Sequence, residues 1–219
     1  MDIADRIQKI EEEIAGKAKL VAVSKRQPDE KILEALDHGF KRYGENYVQE
    51  LIGKYERLPK SIEWHMIGHL QTNKVKYIAP FVSMIHSVDS FRLLKEIDKQ
   101  AAKCNRIIPV LLQVHIAEED TKTGMSSDEL ADVFETMKKS PLMNVSVQGL
   151  MGMSTFTDDM EVVSREFSSL KQLFDRVKLE NPQLPITELS MGMSGDWPLA
   201  ISLGSTLIRV GSAIFGERS

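Results

Sequence analysis

Leu20-Val21-Ala22-Val23-Ser24-Lys25 is a run of apolar, partly β-branched residues that ends in a lysine, with Pro28 closing it off. A nearly continuous apolar run of this length reads as a buried parallel strand, covered on both faces. Side chains alternate along a strand, so Val21, Val23 and Lys25 share one face. An ammonium on that face, at the strand's C-terminal end, must be paired, desolvated or used covalently. A desolvated lysine gives up its proton more easily, and a neutral amine attacks carbonyl groups to form a Schiff base. The plainer alternative is a side chain that snorkels into solvent as the strand runs out.

The chain on either side repeats a strand–helix alternation. Strand patterns occur at 20–25, around 42–43, and at 62–67, 84–87, 108–116, 145–151, 186–191 and 207–210. Helical patterns fall between them, at 29–38, 48–57, 73–79, 91–103, 127–139, 161–180 and 198–203. Ile3, Ile7, Ile10 and Ile14 recur at three- and four-residue steps and predict an amphipathic first helix through about Ala15. Asp89 or Ser90 can cap the helix at 91, and Ser126 with Glu129 reads as a capping box. Eight strands alternating with helices predict an α/β fold, a single (β/α)8 TIM barrel over residues 1–219, with the first helix as an extra lid. An open doubly wound sheet is disfavoured, because no G-x-G-x-x-G follows the first strand.

The chain of 219 residues is 42% hydrophobic and 27% charged, enough for one buried core and short for two. Its 28 basic residues against 32 acidic ones, with no long basic block, argue against nucleic acid as a partner. A single cysteine, Cys104, permits no internal disulfide and points to a reducing compartment. The first residues show no apolar signal-like region, and no stretch approaches a membrane span. A soluble cytoplasmic protein is expected.

In a barrel of this kind, functional groups sit at the C-terminal ends of strands, and phosphate sites follow strands seven and eight. Strand one ends in Lys25, strand two in Gly44-Glu45-Asn46-Tyr47, and strand three in Trp64-His65-Met66-Ile67-Gly68. Met151-Gly152-Met153-Ser154 at strand six is echoed by Met191-Gly192-Met193-Ser194 at strand seven, where soft packing would also explain it. On strand eight Leu207, Arg209 and Gly211 share a face, and an arginine among Leu, Ile and Val needs a partner. Gly211-Ser212 can offer backbone N–H groups and a hydroxyl to an anion, and Ser194-Gly195 a second hydroxyl at a helix entrance. The competing reading makes the glycines ordinary turns and pairs Arg209 with a carboxylate. Beside Lys25, an anion cradle and a buried arginine together suggest pyridoxal 5′-phosphate (PLP).

Five motifs in order carry a family resemblance: 21–25, 43–47, 64–74, 190–197 and 208–216. They are similar to those of the pyridoxal phosphate homeostasis protein family (the YggS/PROSC-like group), whose fold is that of the barrel domain of alanine racemase. The likeness runs from about Lys19 to Gly216. It implies that Lys25 forms the Schiff base and that Ser194, Gly211 and Ser212 hold the phosphate. Arg209 would face the pyridine nitrogen, while Asn46 and His65 line the cofactor face. It further implies binding, sequestration and delivery of PLP, with apo PLP-dependent enzymes as recipients, without established turnover.

The chemistry of the residues agrees with that expectation. A permanently charged Arg209 at the ring nitrogen keeps it unprotonated, which weakens the electron sink. Racemisation needs a second acid/base opposite Lys25. Alanine racemase takes a tyrosine from a second all-β domain; Tyr43 and Tyr47 are the candidates here, though packing explains both. A PLP-dependent amino-acid racemase and a cofactor-free Schiff-base aldolase remain the alternatives, and a monomer is expected. His65 and His69 stand four apart, but Gly68 interrupts the segment and no third metal ligand is evident. Asn46 with Gln49 also fits a helix cap. Glu118-Glu119-Asp120 with Lys122 reads as a solvated loop after strand five.

Overall fold

The apolar run at Leu20 forms β1 (Lys19–Val23), and it is one of eight parallel strands that close on themselves in chain order. The computed structural model describes residues 2–118 and 123–216. The other strands are β2 (Arg42–Glu45), β3 (Glu63–Met66), β4 (Met84–Val88), β5 (Ile108–Gln113), β6 (Val145–Met151), β7 (Glu188–Ser190) and β8 (Leu207–Val210). Closure is direct, since β1 pairs with β8 from Lys19 against Leu207 to Ala22 against Val210. The predicted (β/α)8 barrel is the observed fold.

The helices are α1 (Ile3–Ile14), α2 (Asp29–Asp37), α3 (Val48–Arg57), α4 (Val75–Ile78), α5 (Phe91–Lys103), α6 (Ser127–Lys139), α7 (Met160–Glu180), α8 (Trp197–Ser202) and α9 (Ser212–Phe215). A 3-10 turn, Thr72–Lys74, leads into α4, so the single helix expected at 73–79 is split between two windings. Ser126 and Glu129 form the expected capping box, and Ser90 rather than Asp89 caps α5 through the Leu93 amide. Asn46 does not cap α3: Tyr47 occupies that position, without a side-chain bond. The short α9 had no periodic signal, because four residues make only one turn.

Alternation along the strands divides the interior into two zones. Leu20, Ala22, Tyr43, Trp64 and Met66 pack outward under the helices, while Val21, Met84, Leu111, Met151 and Leu207 fill the inside of the barrel. The first helix lies in the outer layer, where it packs against α2 and α9 with Ile3, Ile7, Ile10 and Ile14 buried. Arg6 Nη1 ties it to the Ile214 carbonyl at 2.9 Å. It therefore does not act as a lid over the barrel mouth. Twelve residues are marginal as a free helix, so this contact, at about 1.5–3 kcal/mol per buried isoleucine, is what keeps it folded.

Strand β6 carries a bulge. Val110 pairs with Val147 but Leu111 pairs with Gly149, leaving Gln148 as the extra residue. Gly149 has φ +155°, and a Cβ there would lie 1.7 Å from the Glu188 carbonyl oxygen. Only glycine lets β7 approach that closely.

Candidate functional site

At the C-terminal mouth, the residues that follow β1, β6, β7 and β8 enclose a cleft of about 440 Å³. Lys25, Ser194, Arg209, Gly211 and Ser212 all line it. These five predicted site residues come from the two ends of the sequence and meet because β8 pairs with β1.

Lys25 stands two residues beyond the end of β1, so the strand is shorter than its apolar run suggested. Ser24 keeps one ladder bond, its amide donating to the Gly44 carbonyl at 3.1 Å, but its own carbonyl leaves the ladder. That carbonyl accepts from Lys54 Nζ at 2.6 Å, and the Ser24 hydroxyl donates to Glu45 Oε1 at 2.7 Å. Lys54 also donates to Glu45 Oε1 at 2.8 Å and to Glu50 Oε1 at 2.7 Å. Glu50 Oε1 in turn accepts from the Arg26 amide at 2.6 Å, fixing a residue with φ +59°. Both neighbours of Lys25 are thus held by one buried charge cluster behind the strand. Burial pushes the Glu45 carboxyl up, against the opposing pull of Lys54 and of the Ser24 hydroxyl bond.

Arg209 points into the barrel and is 4% exposed. Among the described residues no carboxylate pairs with it at close range; Nη1 donates to Ser190 Oγ at 2.5 Å and Nη2 to the Gly152 carbonyl at 3.1 Å. Burial lowers its pKa to about 10, so the guanidinium stays charged at neutral pH, with the Asp196 charge acting in its favour. Asp196 braces the cleft wall: Oδ1 accepts from the Met193 amide at 2.5 Å and Oδ2 from the Ser154 hydroxyl at 3.0 Å. Ser194 Oγ accepts from the Gly211 amide at 3.1 Å, which locks the β7 and β8 loops together and leaves its own O–H available.

Asn46 and His65 are not among the residues around the cleft. Asn46 follows β2, and its Oδ1 is buried with no hydrogen-bond partner among the described residues. His65 pairs in register with Met84, the first residue of β4, so the stagger of the barrel leaves it a level below the cleft. Its ring borders a separate pocket at the opposite mouth, beside Lys19, Arg42 and Glu188. Its Nδ1 lies 2.9 Å from His86 Nε2, and His86 Nδ1 lies 3.1 Å from Ser190 Oγ. Burial lowers the His65 pKa to about 3, helped by Arg42 and Lys19, and holds His86 well below the usual histidine range. His69 points elsewhere, its Nδ1 3.4 Å from Asp89 Oδ2.

Several residues of the site had no role assigned from the sequence. His86 and Ser190 belong to strand patterns, Lys54 lies on a helical pattern, and Glu45 lies in the segment that ends strand two, but local pattern pairs none of them with its partner. The echoed Met-Gly-Met-Ser segments were a real clue, for Gly152, Ser154 and Ser194 all serve the site. The loop reading at Glu119, Asp120 and Lys122 falls outside the described residues.

A family model described as "Alanine racemase, N-terminal domain" matches residues 2–219. The "Pyridoxal phosphate homeostasis protein" of Aquifex aeolicus is 44% identical over 222 residues, covering 99% of this chain and 95% of that one. The chain belongs to the pyridoxal phosphate homeostasis protein family. Its Escherichia coli (strain K12) member is 33% identical over 234 residues, with 99% and 97% of the two chains covered. Among solved structures, PipY of Synechococcus elongatus PCC7942, with PLP bound, superimposes with a TM-score of 0.90 at 35% identity, covering 98% of this chain and 100% of that one. Alanine racemase of Clostridium difficile 630 matches with a TM-score of 0.80 at 14% identity, 99% of this chain against 60% of that one, a likeness of fold. Relatives in the family carry a name that describes homeostasis rather than a reaction. Among the described residues no helix is long and apolar enough to cross a membrane.

Proposed function

We propose that this chain binds PLP in the C-terminal cleft as a Schiff base on Lys25, and that it serves cytoplasmic PLP homeostasis by sequestering and delivering the cofactor. In this reading residues 1–219 form one PLP-binding domain that acts as a monomer, hands PLP to apo PLP-dependent enzymes, and does not turn over a substrate. One observation carries it: an amine, a buried arginine and two serine hydroxyls converge on a single cleft of about 440 Å³, within the usual range for small-molecule sites. The name of the relatives and the PLP in PipY support the same choice.

The residues fit the group. A Cβ at Gly195 would meet nothing within 4 Å, and one at Gly211 would press on Val23 at 3.3 Å, so the cradle beside Ser194 and Ser212 is kept clear. When bound, PLP supplies an aldehyde for an amine and a phosphate for hydroxyl and amide donors. Ser194 and Ser212 donate to the phosphate, and Arg209 offers N–H donors toward the ring. A guanidinium does not exchange its proton at neutral pH, so Arg209 leaves a ring nitrogen unprotonated. That disfavours racemase chemistry. Tyr43 is no substitute for a second base, since its hydroxyl is buried outside the barrel against the Ile32 and Phe40 carbonyls at 3.0 and 3.3 Å. Tyr47 is half-exposed, its ring 5.8 Å from Arg26.

The test is borohydride reduction of the PLP-loaded protein followed by peptide mapping. A pyridoxyl group on Lys25, absent from Lys25→Ala, is expected; a label elsewhere, or none, overturns the assignment. Chiral analysis after incubation with alanine separates carrier from racemase, and turnover of roughly 1 per second or faster would favour the enzyme. Borohydride trapping of a sugar phosphate in place of PLP would favour the aldolase. Transfer of PLP to an apo-enzyme faster than free release is the result expected of a delivery protein.

A further inference from the structure

The interior of the barrel holds a continuous line of side chains that the cofactor site does not by itself require. Arg209 Nη1 meets Ser190 Oγ at 2.5 Å, Ser190 meets His86 Nδ1 at 3.1 Å, and His86 Nε2 meets His65 Nδ1 at 2.9 Å. All four side chains are buried. They come from four different strands, β8, β7, β4 and β3.

The direction of the line follows from what each group can donate. A guanidinium has donors only, so Ser190 must accept from Arg209. The Ser190 proton then needs an acceptor, and among the described residues the one in reach is His86 Nδ1. With Nδ1 accepting, the proton of a neutral His86 sits on Nε2 and is donated to His65 Nδ1. His65 then carries its proton on Nε2 and ends the line near the opposite mouth. The reverse direction would leave the Ser190 hydroxyl proton buried and unpaired, the costly arrangement.

We propose that Ser190 and His86 are positioning residues for Arg209, and that this one-way relay, ending at His65, holds the guanidinium in place against the cofactor's ring. The inference rests on the PLP reading given above. Anchoring through neutral acceptors has a consequence that a carboxylate would not give. It orients two N–H groups of Arg209 without an ion pair, so the full positive charge remains directed at the cleft. The relay also couples cofactor occupancy to a ring some way off, since a change in the Arg209 contact must pass through Ser190 to His86.

The experiment uses the full chain with histidines labelled with nitrogen-15. At neutral pH the unbound protein should give two neutral histidines with Nδ1 unprotonated, and PLP addition should shift the His86 signal more than the His65 signal. A proton on His86 Nδ1, or a His86 signal indifferent to PLP, overturns the relay. In parallel, Ser190→Ala and His86→Phe should release PLP about tenfold faster than the wild type and displace its visible absorption band, while Ser190→Thr, which keeps the hydroxyl, behaves as wild type. Folded Ser190→Ala with wild-type release and spectrum also overturns it. Failure of borohydride to label Lys25 in the wild type is a different result, and it strikes the PLP reading itself. If His86→Phe does not fold, Ser190→Ala against Ser190→Thr and the wild-type spectra still decide.

Discussion

Lys54 Nζ lies 2.6 Å from the Ser24 carbonyl oxygen, which also accepts from the Gln27 amide at 3.0 Å, so a charge on α3 braces the turn that presents Lys25. The same ammonium neutralises Glu45, which is fully buried, at 2.8 Å. Lys54→Met would strand that carboxylate and is expected to cost about 3–5 kcal/mol in urea unfolding. Replacing Glu45 with Gln in the same chain should recover part of the loss. A double variant as unstable as the single one would show that the ammonium acts through its backbone contact rather than through charge.

The buried histidines give stability a defined pH dependence. The His65 pKa is about 3 in the folded chain against an ordinary 6.5, and burial holds His86 well below that ordinary value too. A depressed folded pKa means the contribution is complete above 6.5 and is lost as pH falls from there toward 3. The unfolded chain takes up these protons first, so each histidine should lower stability by up to about 1.4 kcal/mol per pH unit. Urea melts between about pH 7 and pH 5 check this, with a shallower slope expected for His86→Gln. Equal slopes would mean that His86 titrates freely in the folded state.

Two glycines, Gly149 inside β6 and Gly195 at the cleft, should behave in opposite ways. Gly149→Ala drives a Cβ to 1.7 Å from the Glu188 oxygen and should cost about 4 kcal/mol or more, seen as loss of soluble folded protein. Gly195→Ala meets nothing within 4 Å and should fold normally. A stable Gly149→Ala would mean that the bulge in β6 can slip its register.

The serine hydroxyls can be separated from the rest of the cleft by ligand choice. Ser194→Ala and Ser212→Ala should weaken PLP by about 10-fold or more, the value of a hydrogen bond to a charged group. Binding of pyridoxal, which lacks the phosphate, should change little. Fluorescence titration with both ligands reads the difference, and equal losses would move the phosphate away from these serines.

Much of this architecture was legible from local pattern. Alternation at Val21, Val23 and Lys25, four isoleucines at helical spacing, the Ser126–Glu129 cap and eight strand-like runs depend on neighbours within a few residues, and periodicity reports such neighbours faithfully. The strand-end rule places Lys25, Ser194, Arg209, Gly211 and Ser212 at one mouth, and all five line the same cleft.

What tertiary structure alone decided is what each buried polar group touches. His65 was expected at the upper rim and lies below it, because barrel stagger, invisible to periodicity, sets its level. His86 and Ser190 are 104 residues apart, and Lys54 reaches back 30 residues to Ser24. No local rule pairs them; closing the barrel does, and once water is excluded each buried donor has to find an acceptor there. The sequence by itself determined the barrel and the rim that carries the amine. Three-dimensional closure determined which side chains hold that amine and Arg209 in position.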